Sequence, residues 1–278
     1  MSYRIIGDSC TDLTKEQKAS KKIDLVPLTL QIENESFIDD ETFNQKDFIT
    51  KMAASSACPK SACPAPESYM KLFDQADDIY IITLSSQLSG SYNCAELARN
   101  LYLEQNPDKN IYVFDSKSAS VGQTLIAMKI QELADQGLPF EEVIEQTNKF
   151  RDGMSTFFLL ESLENLRKNG RLSNVKAFIA SALNIKPIMI GNDEGSIDKI
   201  DQARGMKKAL IRMCEIIADK VRDSQDRTLA IAHCNNYERA LFVKEELEKR
   251  VEFKDVLIMD TQGVSTLYAN DGGIIVCF

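Results

Sequence analysis

Short apolar runs alternate along the chain with longer stretches in which apolar residues recur every three or four positions. The runs Tyr3–Ile6, Ile79–Thr83, Ile111–Phe114, Ser155–Leu160, Leu229–Ala232, Val256–Met259 and Gly273–Phe278 are too short for helices and read as strands. The periodic stretches Glu67–Gln75, Tyr92–Glu104, Ser118–Gln136, Phe140–Phe150, Val175–Leu183, Met206–Arg222 and Tyr237–Arg250 predict amphipathic helices. Strands alternating with helices predict α/β layers built on parallel strands. Gln136-Gly-Leu-Pro139 stops one helix and starts the next, and Gly153 precedes a fresh strand. The expected division is an N-terminal α/β domain, residues 1–152, and a C-terminal α/β domain, residues 153–278.

In the second half, "IKPIMIGNDEGSIDKI" sets two apolar runs around Gly191-Asn-Asp-Glu-Gly195, the pattern of a β-hairpin. A hairpin there makes the second sheet mixed, against a mainly parallel first sheet. The segment from Ile23 to Ala65 is less regular. "LVPLTLQIENESFID" predicts a pair of extended strands, and the prolines at 59, 64 and 66 predict a stiff, extended loop.

A chain of 278 residues accommodates two domains of ordinary size, and its 44% hydrophobic and 27% charged content is that of a soluble globular protein. No apolar run reaches the ~20 residues that cross a bilayer, so no integral membrane segment is expected. The N-terminus lacks the long apolar stretch of an export signal, so the expected location is the cytoplasm. A net charge of −9 argues against nucleic acid and against an anionic membrane surface, and leaves room for a partner with a basic patch.

The seven cysteines form no C-x-x-C, and all read as buried or incidental reduced thiols. With a single histidine, His233, and no clustered cysteines, no metal site is expected. His233 ends an apolar run and reads as a capping or core residue rather than a catalytic one.

The densest polar signal is "TLSSQLSGSYNCAELA", residues 83–98, with four serines in seven positions between a strand and a helix. A nucleophilic serine needs a base, yet G-x-S-x-G is absent and no histidine is near in sequence. A phosphate cradle needs glycines or a lysine, yet neither G-x-x-x-x-G-K-[ST] nor G-x-G-x-x-G occurs. Two readings stand. One serine caps the helix while the others make the turn, or Ser89-Gly90-Ser91 offers hydroxyls and a helix N-terminus to a carboxylate.

The chain as a whole resembles the DegV family of bacterial fatty-acid-binding proteins. "IIGDSCTDL" is similar to that family's D-S-x-x-D-L start, through Asp8, Ser9, Asp12 and Leu13. "SSQLSGSYNCA" resembles its L-S-G-T-Y block, and "FDSKSASVGQ" its D-S-x-x-x-S-x-G block, through Asp115, Ser116, Ser120 and Gly122. "LENLRKNGRLS" and "IKPIMIGNDEGSIDKIDQARGMKKAL" resemble its L-x-x-L-x-x-G-G-R-I-S and K-P-I-L…R-x-x-K-A-L elements. The resemblance implies two α/β domains with a ligand tunnel between them and no cofactor. One long-chain fatty acid would lie in that tunnel, for presentation to a separate ATP-dependent kinase subunit.

The chain departs from the family in two places. Ser61 stands where the family has a threonine, and Tyr268 falls where it has a histidine. The resemblance implies a carboxylate site at Ser61, Ser89, Gly90, Ser91, Arg171 and Tyr268. It also implies a kinase contact at Arg204. The chain is thus expected to be a lipid carrier and not an enzyme by itself. A serine hydrolase acting on acyl esters, and a lipid sensor without a kinase, are the alternatives. Phe157, Phe158, Phe178 and Ile179 are the expected shapers of the tunnel.

Overall fold

The computed structural model describes residues 2–20, 22–172 and 184–278. The expected helix Val175–Leu183, with Phe178 and Ile179, lies outside the described residues. In the first half, β1 (Tyr3–Asp8), β2 (Ile23–Val26), β6 (Asp78–Thr83) and β7 (Asn110–Asp115) form a parallel sheet in the order β2-β1-β6-β7. β6 is buried at every position. Its Tyr80 and Ile82 face one layer and its Ile79 and Ile81 the other, which explains the unbroken apolar run in the sequence. Helices α1 (Lys15–Ser20), α3 (Pro66–Met70), α4 (Ser91–Leu103), α5 (Val121–Asp135) and α6 (Phe140–Asp152) belong to this half.

The irregular segment folds as a separate antiparallel sheet, in the order β4-β3-β5, from β3 (Thr29–Ile32), β4 (Glu35–Ile38) and β5 (Lys60–Ala62). Helix α2 (Gln45–Ala54) connects β4 to β5, and the Asn44 side chain caps it by accepting from the Asp47 N–H at 3.1 Å. The proline-rich stretch is therefore only partly a loop. Lys60–Ala62 pairs with β3, and Pro66 opens α3, where its missing N–H costs nothing.

The second half holds a six-stranded mixed sheet. Its strands are β8 (Thr156–Leu159), β9 (Ile185–Gly191), β10 (Ile197–Arg204), β11 (Thr228–His233), β12 (Asp255–Asp260) and β13 (Ile274–Cys277). The order is β10-β9-β8-β13-β11-β12, with only β11 and β12 parallel. The expected hairpin is present as β9 and β10, and Gly195 in its loop takes φ of +87°, a conformation costly for any residue with a Cβ. Helices α7 (Glu164–Lys168), α8 (Met206–Lys220), α9 (Tyr237–Glu248) and α10 (Gly263–Ala269) complete the described residues. β8 alternates strictly: Phe157 and Leu159 face α8 and α9, whereas Phe158 faces the opposite layer with Leu160 and Leu166.

Among the contacts that join the halves, two involve whole helices. Helix α5 is buried at every position from Val121 to Ala127: Ile126, Ala127 and, further on, Ile130 pack on the first sheet, and Val121 and Leu125 pack on Ala230 and Ala232 of β11. The second contact is polar. The Gly263 and Val264 N–H groups donate to the two oxygens of Asp39 at 2.7 and 2.9 Å, and the Gln262 N–H donates to Asp12 at 2.6 Å. Two carboxylates of the first half thus complete the N-terminus of α10, which has no side-chain cap of its own. Gly263 is required there, because a Cβ would stand 2.5 Å from Asp39 Oδ1.

Candidate functional site

The site is assembled from the C-terminal ends of the parallel strands, where open α/β sheets bind ligands. The loop after β1 is tied to the loop after β6 by Asp8, whose carboxylate accepts from the Leu84 N–H at 2.7 Å and the Cys10 N–H at 3.2 Å. Gln123 of α5 adds a bond to the same carboxylate at 2.9 Å. Asp115 at the end of β7 does the same for its neighbours, accepting from the Ser86 and Lys117 N–H groups at 3.1 and 3.0 Å. These two acids are structural ties between loops.

Between these loops and the second sheet lies a narrow cavity. Its walls are mostly hydrocarbon. Leu28, Leu84 and Leu88 come from the first half, and Phe158, Leu160 and Ile275 from the second. Ser61, Ser89, Arg171 and Tyr268 also line it. The Ser61 hydroxyl on β5 and the Tyr268 hydroxyl on α10 are 2.9 Å apart. Arg171 lies with its guanidinium carbon 5.7 Å from the Tyr268 ring centroid, and its Nε donates to the Leu88 carbonyl at 3.1 Å. A second bond, from Nη1 to the Asn169 carbonyl at 2.5 Å, fixes the guanidinium at the wall.

The serine cluster resolves into separate tasks. Ser85 is buried and donates to the Gly195 carbonyl at 2.7 Å, fastening the hairpin loop. Ser86 donates to Asp115. Ser89 accepts from the Ser91 N–H at 3.2 Å, so it satisfies the first N–H of α4 and lines the cavity at once, while the N-cap position, Gly90, has no side chain to offer. Ser91 is wholly buried, 3.1 Å from the Ser89 hydroxyl, and Gly90 is exposed. Neither Gly90 nor Ser91 is among the lining residues. Arg204 is exposed at the end of β10, away from the cavity.

Phe157 is a different matter: it is buried among α8 and α9, and of the expected aromatic pair only Phe158 reaches the cavity. No histidine is among the lining residues, so Ser89 has no imidazole beside it there. His233 instead ends β11, buried, with Nδ1 accepting from the Asn236 N–H at 3.2 Å. Burial holds its pKa below the usual histidine value, against the pull of Asp260. Among the described residues no three metal-ligating side chains cluster, and no helix is long and apolar enough to cross a membrane.

Over residues 2–278 the chain matches the sequence profile of the family described as "Uncharacterised protein, DegV family". The chain belongs to the DegV family. It is 33% identical over 277 residues to a DegV domain-containing protein of Streptococcus pneumoniae strain R6, covering 99% of this chain and 98% of that relative. A crystal structure of a DegV family protein from Ruminococcus gnavus, refined with vaccenic acid, superposes at a TM-score of 0.97, with 48% identity and 99% of each chain covered. The S. pneumoniae Fatty Acid Kinase (Fak) B3 protein, loaded with linoleic acid, superposes at 0.91 with 32% identity over 100% of this chain and 99% of that one. The α/β architecture is therefore that of the DegV family.

The hydrocarbon wall was the part of this DegV site hardest to see in the sequence. Leu28, Leu84, Leu88, Leu160 and Ile275 look like any other core positions, and only the fold reveals that they surround a space.

Proposed function

We propose that this protein binds one long-chain fatty acid, with the tail in the apolar cavity and the carboxylate at Ser61, Ser89, Arg171 and Tyr268. Gly90 and Ser91 act behind them, by setting the start of α4 and the pose of Ser89. The observation that carries this reading is a narrow, mostly hydrocarbon cavity whose wall also carries the Ser61, Ser89 and Tyr268 hydroxyls and the Arg171 guanidinium. Burying the tail contributes ~0.8 kcal/mol per methylene, on the order of 12 kcal/mol for a chain of ~15 before association and ordering costs. The hydroxyls add perhaps ~1 kcal/mol each and fix the position of the acid head. The fatty acids in the R. gnavus and Fak B3 structures support the assignment.

In the same reading, the chain presents the carboxylate to a separate kinase, which transfers the terminal phosphoryl group of ATP to it and releases ADP and the acyl phosphate. The likeness to a Fatty Acid Kinase B3 protein supports this step. Residues 1–152 and 153–278 are the two units that enclose the ligand. Arg204, exposed beside them, is assigned to the kinase contact, and the use of ATP assigns the work to the cytoplasm.

Native mass spectrometry of the purified protein, followed by extraction, should release one fatty acid per chain. Acyl phosphate should form only when kinase and ATP are both added. Ser61→Ala and Ser89→Ala should keep their lipid yet slow phosphorylation. A purified chain that carries no lipid and takes none up from fatty-acid-loaded vesicles contradicts the reading.

A further inference from the structure

Cys63 and Cys94 are 31 positions apart in sequence, but their sulfurs are 3.3 Å apart. Each sits in one of the two segments that supply the hydroxyls. Cys63 follows Ser61 by two residues on the stretch that leaves β5, held between Pro64 and the strand. Cys94 lies in the first turn of α4, its N–H donating to the Gly90 carbonyl at 3.0 Å. The Cys63 sulfur rests against Gly90, where an added Cβ would meet it at 3.3 Å. Both residues are half-buried, so a small oxidant can reach them, whereas Cys10, Cys214, Cys234 and Cys277 are buried.

The geometry points to Cys63 and Cys94 as a redox modification site: a reversible disulfide that staples the Ser61 strand to the Ser89-Gly90-Ser91 turn at the cavity. A disulfide needs its sulfurs about 2.05 Å apart, so closing the pair from 3.3 Å requires a movement of roughly 1.3 Å. The oxidant is a low-mass organic disulfide, R-S-S-R. The Cys63 thiolate attacks one of its sulfurs and expels RS⁻, leaving a mixed disulfide on Cys63. The Cys94 sulfur then attacks the Cys63 sulfur and expels the second RS⁻. The two cysteine protons pass to the two leaving thiolates. The protein loses two electrons and two protons, and the oxidant leaves as two thiols.

The order of attack follows from the surroundings. Burial and the neighbouring Cys63 push the Cys94 thiol up to about 11, so it acts second, giving up its proton as it attacks. Stapling locks together the two segments that carry Ser61 and Ser89 in the cavity wall, and so should slow the passage of a ligand. This consequence for the ligand, unlike the bond itself, rests on the proposed fatty-acid function.

The test treats the reduced full-length protein with glutathione disulfide. Non-reducing peptide mapping should find a mass about 2 Da lower and a Cys63–Cys94 linked peptide, both reversed by dithiothreitol. Cys94→Ser should instead trap glutathione on Cys63, and Cys63→Ser should form no link. Dissociation of a fluorescent long-chain fatty acid should slow about tenfold on oxidation of the unmodified protein and not in either variant. Absence of the linked peptide overturns the site, and an unchanged dissociation rate in the linked protein overturns the staple. If the reduced protein binds no fatty acid at all, the functional reading fails while the peptide map still decides the bond.

Discussion

At the residue scale, hydroxyls that look alike in the sequence have opposite duties. Ser85 faces the hairpin and Ser89 faces the cavity, although only three residues lie between them. Ser85→Ala leaves the buried Gly195 carbonyl without its donor and should cost about 1–2 kcal/mol in thermal unfolding, with fatty-acid affinity nearly unchanged. Tyr268→Phe keeps the ring under Arg171 but removes the hydroxyl beside Ser61. It should weaken binding by about 1 kcal/mol, roughly fivefold in a fluorescence titration, and leave the melting temperature alone. The cluster of serines was visible as a string, but which hydroxyl faces which way depends on the turn geometry between Ser85 and Ser91. For that reason the sequence named Ser89, Gly90 and Ser91 together, and only Ser89 lines the cavity.

At the element scale, the polar clamp on α10 has no counterpart in local patterning. Asp39→Ala would strip the Gly263 and Val264 N–H groups and the Ser9 hydroxyl of a buried acceptor. The expected loss is about 3 kcal/mol in denaturant unfolding. Gly195→Ala, forced into φ of +87°, should cost about 1–2 kcal/mol and loosen the hairpin loop over the cavity. Elements with a strong period were legible: α4, α5, α8 and the β9–β10 hairpin fall within a few residues of expectation. Helix α2 was missed although its signals are present, with Asn44 as the cap and Phe48, Ile49 and Met52 on one face. Helix α10 carries no such signal. It is short, its cap comes from another part of the chain, and six of its seven residues are buried, so no polar face marks a period.

At the scale of the whole molecule, the buried acids make the union of the halves sensitive to pH. Burial pushes Asp12 up to about 7 and Asp39 up to about 6, although the hydroxyl and N–H groups they accept from pull the other way. A carboxyl that binds its proton more tightly folded than unfolded stabilises the fold below its unfolded pKa. That contribution is lost as pH rises through its folded pKa. Melting temperature should therefore decline between about pH 4 and pH 7 through these two groups. Asp12→Asn should flatten part of that slope, a difference that differential scanning calorimetry across the range can read. An equal slope in the variant would remove Asp12 from the account.

The sequence by itself determined the local architecture. Strand and helix periods are properties of neighbouring residues, and they specified α/β layers, a parallel first sheet and a hairpin in the second. An ordered set of short motifs determined the family. Only the tertiary structure decided which side chains meet: Ser61 and Tyr268 are separated by 207 positions, and Asp39 and Gly263 by 224. A hydrophobic pattern records that a residue is buried but not whether it lies against protein or against a cavity. That distinction arises only when α5 and the α10 clamp bring the two sheets together.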